Sequence, residues 1–107
     1  MKIVYRITYP NGKIYVGMDL TNSINYFGSA GDALIARDFT PEQRRSFSVT
    51  RDVLWASETA SDQEVRAVEL SLIRALHAND PTVGYNRLPR FKPGQNHGEA
   101  PASSTEA

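Results

Sequence analysis

The chain has 107 residues, 40% of them hydrophobic and 22% charged, which is the composition of one soluble globular domain. Its 12 basic and 12 acidic side chains balance, which argues mildly against a strong nucleic-acid binder. The absence of cysteine excludes disulfides and cysteine–zinc sites. Because no run reaches the roughly 18 apolar residues of a membrane span and the N-terminus lacks a signal-peptide core, we expect a cytoplasmic protein without a membrane segment.

The first predicted element is a β-hairpin, because two runs rich in β-branched and aromatic residues flank Pro10-Asn11-Gly12. A two-residue loop would pair Thr8 with Tyr15 and leave Tyr5 on the opposite face of the sheet. A three-residue loop pairs Tyr5 with Gly17 and places both tyrosines on one face, with open space beside the Tyr5 ring. We favour the three-residue loop, since proline suits its first position and glycine its left-handed position. The tyrosines are then either ordinary half-buried strand residues or a pair held for chemistry.

The middle of the chain is predicted to contain a loop, two short helices and a strand. Residues 19–31 are rich in Asn, Ser and Gly and indicate a loop, and residues 32–39 favour a short helix. Thr40 and Gln43 form a capping box that begins a second helix. Residues 46–56 favour a third strand, although their alternation is imperfect. Its apolar residues at odd positions are Phe47, Val49, Val53 and Trp55.

The last predicted element is an amphipathic helix that begins at the capping box Ser61–Glu64 and runs to about Ala78. Residues 92–107 have almost no apolar anchor, so we expect a folded domain over residues 1–91 and a disordered tail. The apolar stripe of the helix consists of Val65, Val68, Leu72, Ile73 and Leu76.

Glu69 is an acid within this apolar stripe. At 100° per residue it lies about 40° from both Val65 and Ile73. An unpaired carboxylate among core residues would cost several kcal/mol of desolvation. We therefore expect Glu69 to be paired with a cation, protonated or bound to a metal. A buried ion pair with an arginine is the structural alternative to a functional role.

Four short motifs occur in an order that resembles the GIY-YIG nuclease superfamily. "IVY" (3–5) and "YVG" (15–17) stand for the two signature triplets, with Tyr5 and Tyr15 ten positions apart. Glu69 stands for the helix glutamate of the family, and "GYN" (84–86) for its closing motif. The resemblance spans residues 1 to about 90. It implies an α+β fold, in which a small three-stranded antiparallel sheet is flanked by helices.

The resemblance also implies an endonuclease that hydrolyses DNA phosphodiester bonds. Tyr5 would act as general base or proton relay for the attacking water, and Tyr15 would position water or phosphate. Glu69 would be the sole protein ligand of Mg²⁺ or Mn²⁺, which suits a hydrated magnesium site. Gly17 and Asn86 would brace the site.

One departure concerns the arginine of the family, because Asn25 occupies its usual position. Arg37 is the first candidate to replace it as a catalytic residue, Arg51 the second and Arg45 the third. Arg45 and Arg51 are also candidate substrate contacts, as is Lys13. Each of these cations alternatively belongs to an ordinary solvated surface.

Two other functions compete with the nuclease hypothesis. The same fold without catalysis would serve as a binding module for nucleic acid or protein, and a small accessory protein would merely use Glu69 in an ion pair. A nuclease of this size would either cleave with little sequence preference or work as a homodimer or with a separate DNA-targeting partner. Two basic clusters are candidate phosphate contacts. They are Arg44, Arg45 and Arg51, and then Arg87, Arg90 and Lys92.

Overall fold

The computed structural model describes residues 1–21 and 36–92. Residues 36–38 are helical, so the end of the first predicted helix is confirmed, while most of the predicted loop over 19–31, the start of that helix and residues 93–107 of the predicted tail lie outside the described residues. No helix of the described part is long and apolar enough to cross a bilayer. The elements are β1 (Lys2–Thr8), β2 (Ile14–Asp19), α1 (Pro41–Arg45), β3 (Thr50–Ser57) and α2 (Asp62–Ala75).

The three strands form one antiparallel sheet in the order β2-β1-β3. Together with the helices this confirms the predicted α+β class and the predicted three-stranded antiparallel sheet. Both surfaces of the sheet carry apolar clusters, because Ile3, Tyr5 and Ile7 of β1 are buried on one side and Val4 is buried on the other. The sheet therefore separates two packed layers.

The hairpin has the predicted three-residue loop. The amide of Tyr9 donates to the carbonyl of Lys13 at 2.9 Å, and the amide of Gly12 donates to the carbonyl of Tyr9 at 2.8 Å. Gly12 has φ of 87°, in the left-handed region where glycine carries no steric cost. The resulting register pairs Tyr5 with Gly17 and Ile7 with Tyr15. Both tyrosines therefore point to the same side of the sheet.

The two sides of the sheet hold different clusters. We call the side with Tyr5 and Tyr15 the tyrosine face, and the side covered by α2 the helix face. The tyrosine face consists of Ile3, Tyr5, Ile7, Tyr9, Phe39 and Tyr85, with Tyr15, Phe47 and Val49 packed against them. The helix face consists of Val4, Val16, Val65, Ile73 and Ala78, with Ile14, Met18, Trp55, Ala60, Val68, Leu72 and Leu76 packed against them.

A bulge in β3 accounts for the imperfect alternation of the apolar residues in this strand. Val4 pairs with Trp55, whereas Tyr5 pairs with Val53, so Leu54 is the extra residue. The side-chain alternation shifts by one there. Trp55 therefore packs on the helix face, while Val53 is 50% exposed. The strand also begins at Thr50, four residues later than predicted.

Both predicted capping boxes are present and set where the helices begin. Thr40 and Gln43 exchange the two hydrogen bonds of the box in α1, and Ser61 and Glu64 do so in α2. The prediction that α2 runs to about Ala78 was wrong by about one turn, because the helix ends at Ala75. Its end is a Schellman motif: His77 has φ of 59°, and the amide of Ala78 donates to the carbonyl of Ile73 at 2.9 Å.

Candidate functional site

Tyr5 and Tyr15 meet above the backbone of Gly17. A methyl group added to Gly17 would lie 2.5 Å from Tyr5 Oη and 3.1 Å from Tyr15 Cε2. Both rings therefore fill the space that the missing side chain leaves. The hairpin register produces this arrangement, since Gly17 is opposite Tyr5 and two residues from Tyr15. The prediction of open space beside the Tyr5 ring was wrong, because the Tyr5 ring and the edge of the Tyr15 ring occupy the space over Gly17.

The two phenols differ in their access to solvent. Tyr5 is only 1% exposed and belongs to the core of the tyrosine face. Tyr15 is half-buried and packs at the margin of the same cluster. Tyr15 is therefore the phenol that a solvent-borne ligand reaches first.

Arg51 is the candidate arginine that contacts a signature tyrosine in the described part of the chain. Its guanidinium carbon lies 5.3 Å from the centroid of the Tyr5 ring. Arg51 pairs with Ile7 across the β1–β3 ladder, so its side chain extends over the tyrosine face. A guanidinium over a phenol face is attracted by the ring quadrupole and places a permanent positive charge beside the tyrosine pair.

The other two candidate arginines lie elsewhere. Arg37 is exposed, and its Nε donates to Asp38 Oδ1 at 3.1 Å. Arg45 is exposed in the last turn of α1. Neither has a described contact with Tyr5 or Tyr15, so the geometry gives Arg51 precedence over Arg37, which the sequence had ranked first.

Glu69 is half-buried on α2 and makes no hydrogen bond or ion pair with the described part of the chain. Burial raises the pKa of its carboxyl group above the ordinary value of 4.5, and the positive charge of Arg66 only partly opposes this. The predicted structural alternative, a buried ion pair with an arginine, is therefore absent among the described residues.

Glu69 lies on the flank of α2 that is turned away from β3. A cavity of about 320 Å³ separates β3 from the opposite flank of α2, which carries Ala67 and Ser71. At 100° per residue Glu69 lies about 160° from both of these residues. α2 packs on β1 and β2, and its apolar stripe, which contains Glu69, belongs to the helix face. The tyrosine pair lies on the opposite face of the sheet, above Gly17. The described structure therefore does not bring Glu69 together with Tyr5 or Tyr15.

Asn86 binds the backbone of β2 at the edge of the sheet. Its Nδ2 donates to the carbonyl of Val16 at 2.7 Å, and its Oδ1 accepts from the amide of Val16 at 2.8 Å. One residue earlier, the amide of Tyr85 donates to the carbonyl of Ile14 at 2.8 Å. Gly84 closes a parallel bridge with Ile14. The closing "GYN" segment therefore continues the sheet beside β2 and fixes the strand that carries Tyr15 and Gly17.

A polar network that the sequence did not reveal joins the hairpin loop to the closing motif. The Tyr85 hydroxyl donates to Asp38 Oδ2 at 2.6 Å and accepts from Asn11 Nδ2 at 2.9 Å. The hydrogen bond from Tyr85 lowers the pKa of Asp38 to about 2, with help from Arg37 and Lys13. Burial first, and then Asp38, raises the pKa of Tyr85 to about 12. The partners are 47 and 74 positions apart, so no local pattern signals them.

Lys13 belongs to this network rather than to the tyrosine pair. Its Nζ lies 3.2 Å from Asp38 Oδ2 and 5.4 Å from the centroid of the Tyr85 ring. The carboxylate of Asp38 neutralises the ammonium charge at short range. Lys13 is therefore less available to bind a phosphate than its sequence position had suggested.

No cluster of three or more His, Asp or Glu side chains that could hold a metal occurs within residues 1–21 and 36–92. A metal at Glu69 would thus rest on one carboxylate and solvent, which is a usual arrangement for Mg²⁺. No protein family, curated protein or solved structure matches the chain.

Proposed function

We propose that the chain is a metal-dependent endonuclease of the GIY-YIG type that hydrolyses DNA phosphodiester bonds. One observation carries the proposal: Tyr5 and Tyr15 lie together above Gly17, with the guanidinium of Arg51 over the Tyr5 ring. A pair of phenols beside a fixed cation suits a reaction in which a water attacks an anionic phosphate. The order of the four signature motifs in the sequence supports the same activity.

The tyrosines have different roles in this proposal. Tyr15 is the more accessible phenol and binds the phosphate or the attacking water through its hydroxyl. Tyr5 is buried behind it and accepts a proton that the water releases. A free phenol has a pKa near 10, so accepting a proton requires a nearby cation that stabilises the phenolate. Arg51 supplies that charge and offers a planar fork to the phosphate.

Glu69 is the residue that would hold a divalent cation. Its half-buried carboxylate has no described cationic partner, and burial already disfavours its ionised form. A bound cation would relieve this cost, so the residue fits a site for hydrated Mg²⁺ or Mn²⁺. When bound, such an ion would neutralise charge on a phosphate. Because Glu69 and the tyrosine pair lie on opposite faces of the sheet, the proposal requires the substrate to reach around the β2 edge.

The proposed activity is tested by incubating supercoiled plasmid with the purified chain and Mg²⁺ or Mn²⁺. We expect nicked circles, complete inhibition by EDTA, and loss of nicking in Glu69→Gln. Glu42→Gln is the matched control, because Glu42 is an exposed acid in the first turn of α1. Failure of the wild type to nick in either metal, or full activity of Glu69→Gln, would refute the proposal.

The burial of Tyr5 favours a second candidate, a GIY-YIG-like module that binds nucleic acid or protein without cleaving it. Because Tyr5 is only 1% exposed, its phenol contacts a substrate only if that substrate can enter the space around the ring. A gel-shift titration at several salt concentrations separates the two functions. Binding that weakens steeply with salt, without nicking in either metal, would establish the nucleic-acid-binding module.

A further inference from the structure

A basic segment follows the closing motif and has no role in the catalytic proposal. We call residues 87–92 the basic segment. It contains three cations, no acid and one aromatic ring. No ion pair joins Arg87, Arg90 or Lys92 to any residue of the described chain. Within residues 1–21 and 36–92 no acid neutralises these three cations at short range.

The basic segment is held in place by two buried or half-buried asparagines. Asn86 precedes it and binds both backbone groups of Val16. Asn79 is 3% exposed, and its Nδ2 donates to the carbonyl of Pro89 at 2.8 Å. These anchors fix the segment against the β2 edge and against the turn after α2. A surface that is ordered before binding loses less conformational entropy when a ligand arrives.

A cavity of about 280 Å³ lies against the basic segment. Its lining includes the cations Arg37 and Arg87 and the ring of Phe91. Tyr85 and Asn86 of the closing motif also line it. The Nε of Arg37 binds Asp38, but its terminal nitrogens make no hydrogen bond with the described residues. The volume is at the lower end for small-ligand sites, about 300 Å³, so it suits one nucleotide unit rather than a duplex.

We propose that this cavity and the basic segment bind an unpaired DNA strand next to the phosphate that is cut. Arg87 and Arg37 hold a backbone phosphate through their forks. The Phe91 ring stacks on an unpaired base, as aromatic side chains do in single-strand binding surfaces. Arg90 and Lys92 continue the positive track along the strand. This inference rests on the proposed nuclease function for its position beside the cut, but the binding itself is independent of catalysis.

The test measures fluorescence anisotropy of a labelled oligothymidine and of a blunt duplex of equal length, both in EDTA so that no cleavage occurs. We expect the full chain to bind the single strand more tightly. We expect Arg87→Ala to lower the salt slope by about 0.7 for the lost phosphate contact. Phe91→Leu keeps an apolar side chain but removes the stacking face, and should weaken binding roughly tenfold.

Arg74→Ala is the matched control, since Arg74 is an exposed arginine in the last turn of α2, lies outside the cavity and makes no ion pair with the described residues. Thermal unfolding of each variant separates lost binding from lost folding. Equal affinity for duplex and single strand, or wild-type binding by both folded variants, overturns the inference even if the plasmid is nicked. Selective binding that Arg87→Ala and Phe91→Leu weaken supports the strand site even if no nicking occurs.

Discussion

Arg51 stands over the ring of Tyr5, with 5.3 Å between the guanidinium carbon and the ring centroid. The contact joins β3 to β1, and it exists because Arg51 pairs with Ile7, two residues from Tyr5 along the same face. Under the proposed function, Arg51 on the third strand is the candidate for the arginine role that Asn25 cannot fill. This assignment differs from the sequence ranking, in which Arg37 came first.

If the proposed function holds, Arg51→Ala should lower the rate of plasmid nicking by about 100-fold, because loss of one preorganised donor to a phosphate costs that order of rate. Arg51→Lys should recover only part of the loss, since lysine keeps the charge but not the planar fork. The nicking rate under single-turnover conditions is the measurement, with Arg74→Ala as the control. A larger loss in Arg37→Ala than in Arg51→Ala would move the role to Arg37.

Gly17→Ala should destabilise the fold, because the new methyl would lie 2.5 Å from Tyr5 Oη and 2.7 Å from Tyr5 Cζ. Overpacking of this kind costs about 1–3 kcal/mol of unfolding free energy, which urea denaturation measures. The double variant Gly17→Ala/Tyr5→Phe should recover part of this cost, since it removes the nearest atom. Additive effects of the two substitutions would contradict the close approach.

The free energy of unfolding should fall as the pH rises, because Glu69 then ionises in a half-buried position. Burial raises the folded-state pKa of Glu69 above 4.5, so the folded state favours the protonated form. The loss of unfolding free energy that ionised Glu69 causes is absent below the unfolded-state pKa. It is complete once the pH exceeds the raised folded-state pKa. Urea denaturation between about pH 4 and pH 7 should show the difference between Glu69→Gln and wild type growing with pH.

Addition of Mg²⁺ should reduce this difference if the ion binds Glu69, because a bound cation stabilises the ionised carboxylate in the folded state. Glu42→Gln is again the control, since Glu42 is exposed. A difference that stays constant across this pH range would show that Glu69 is not desolvated in the folded protein.

Tyr85→Phe should disconnect the hairpin loop from Asp38. The variant loses the hydrogen bonds to Asp38 and from Asn11, which should cost about 1–3 kcal/mol of unfolding free energy. The pKa of Asp38 should rise from about 2 toward its ordinary value of 3.8, since the Tyr85 hydrogen bond is the largest cause of its lowering. A carboxyl-carbon NMR titration measures this pKa directly.

The stability profile provides a second measurement of the same network. The folded-state pKa of Asp38 is depressed to about 2. The free energy of unfolding that ionised Asp38 contributes is therefore fully present above pH 3.8 and is lost as the pH falls toward 2. Tyr85→Phe should therefore show a smaller acid-dependent loss than wild type. Tyr9→Phe is the matched aromatic control, since Tyr9 packs edge-on against Tyr85 without joining the bonds to Asp38. An unchanged Asp38 titration would contradict the network.

Features that depend on neighbouring residues were readable from the sequence. Pro10-Asn11-Gly12 fixed the loop length, and the loop length alone placed Tyr5 opposite Gly17 and on the same face as Tyr15. The capping boxes at Thr40 and Ser61 set where α1 and α2 begin. The apolar stripe of α2 identified Glu69 as a misplaced acid, and burial raises its pKa as that position implies.

Features that depend on contacts between distant segments required the tertiary structure. The bulge at Leu54 arises from the pairing of β3 with β1, and it decided that Arg51 covers Tyr5 while Trp55 packs under α2. Asp38 meets Tyr85 across 47 positions, and Asn86 meets Val16 across 70. Turns and caps are decided within a few residues by backbone sterics and local hydrogen bonds. Contacts between distant residues depend on how whole elements pack, and no short stretch of sequence encodes that packing.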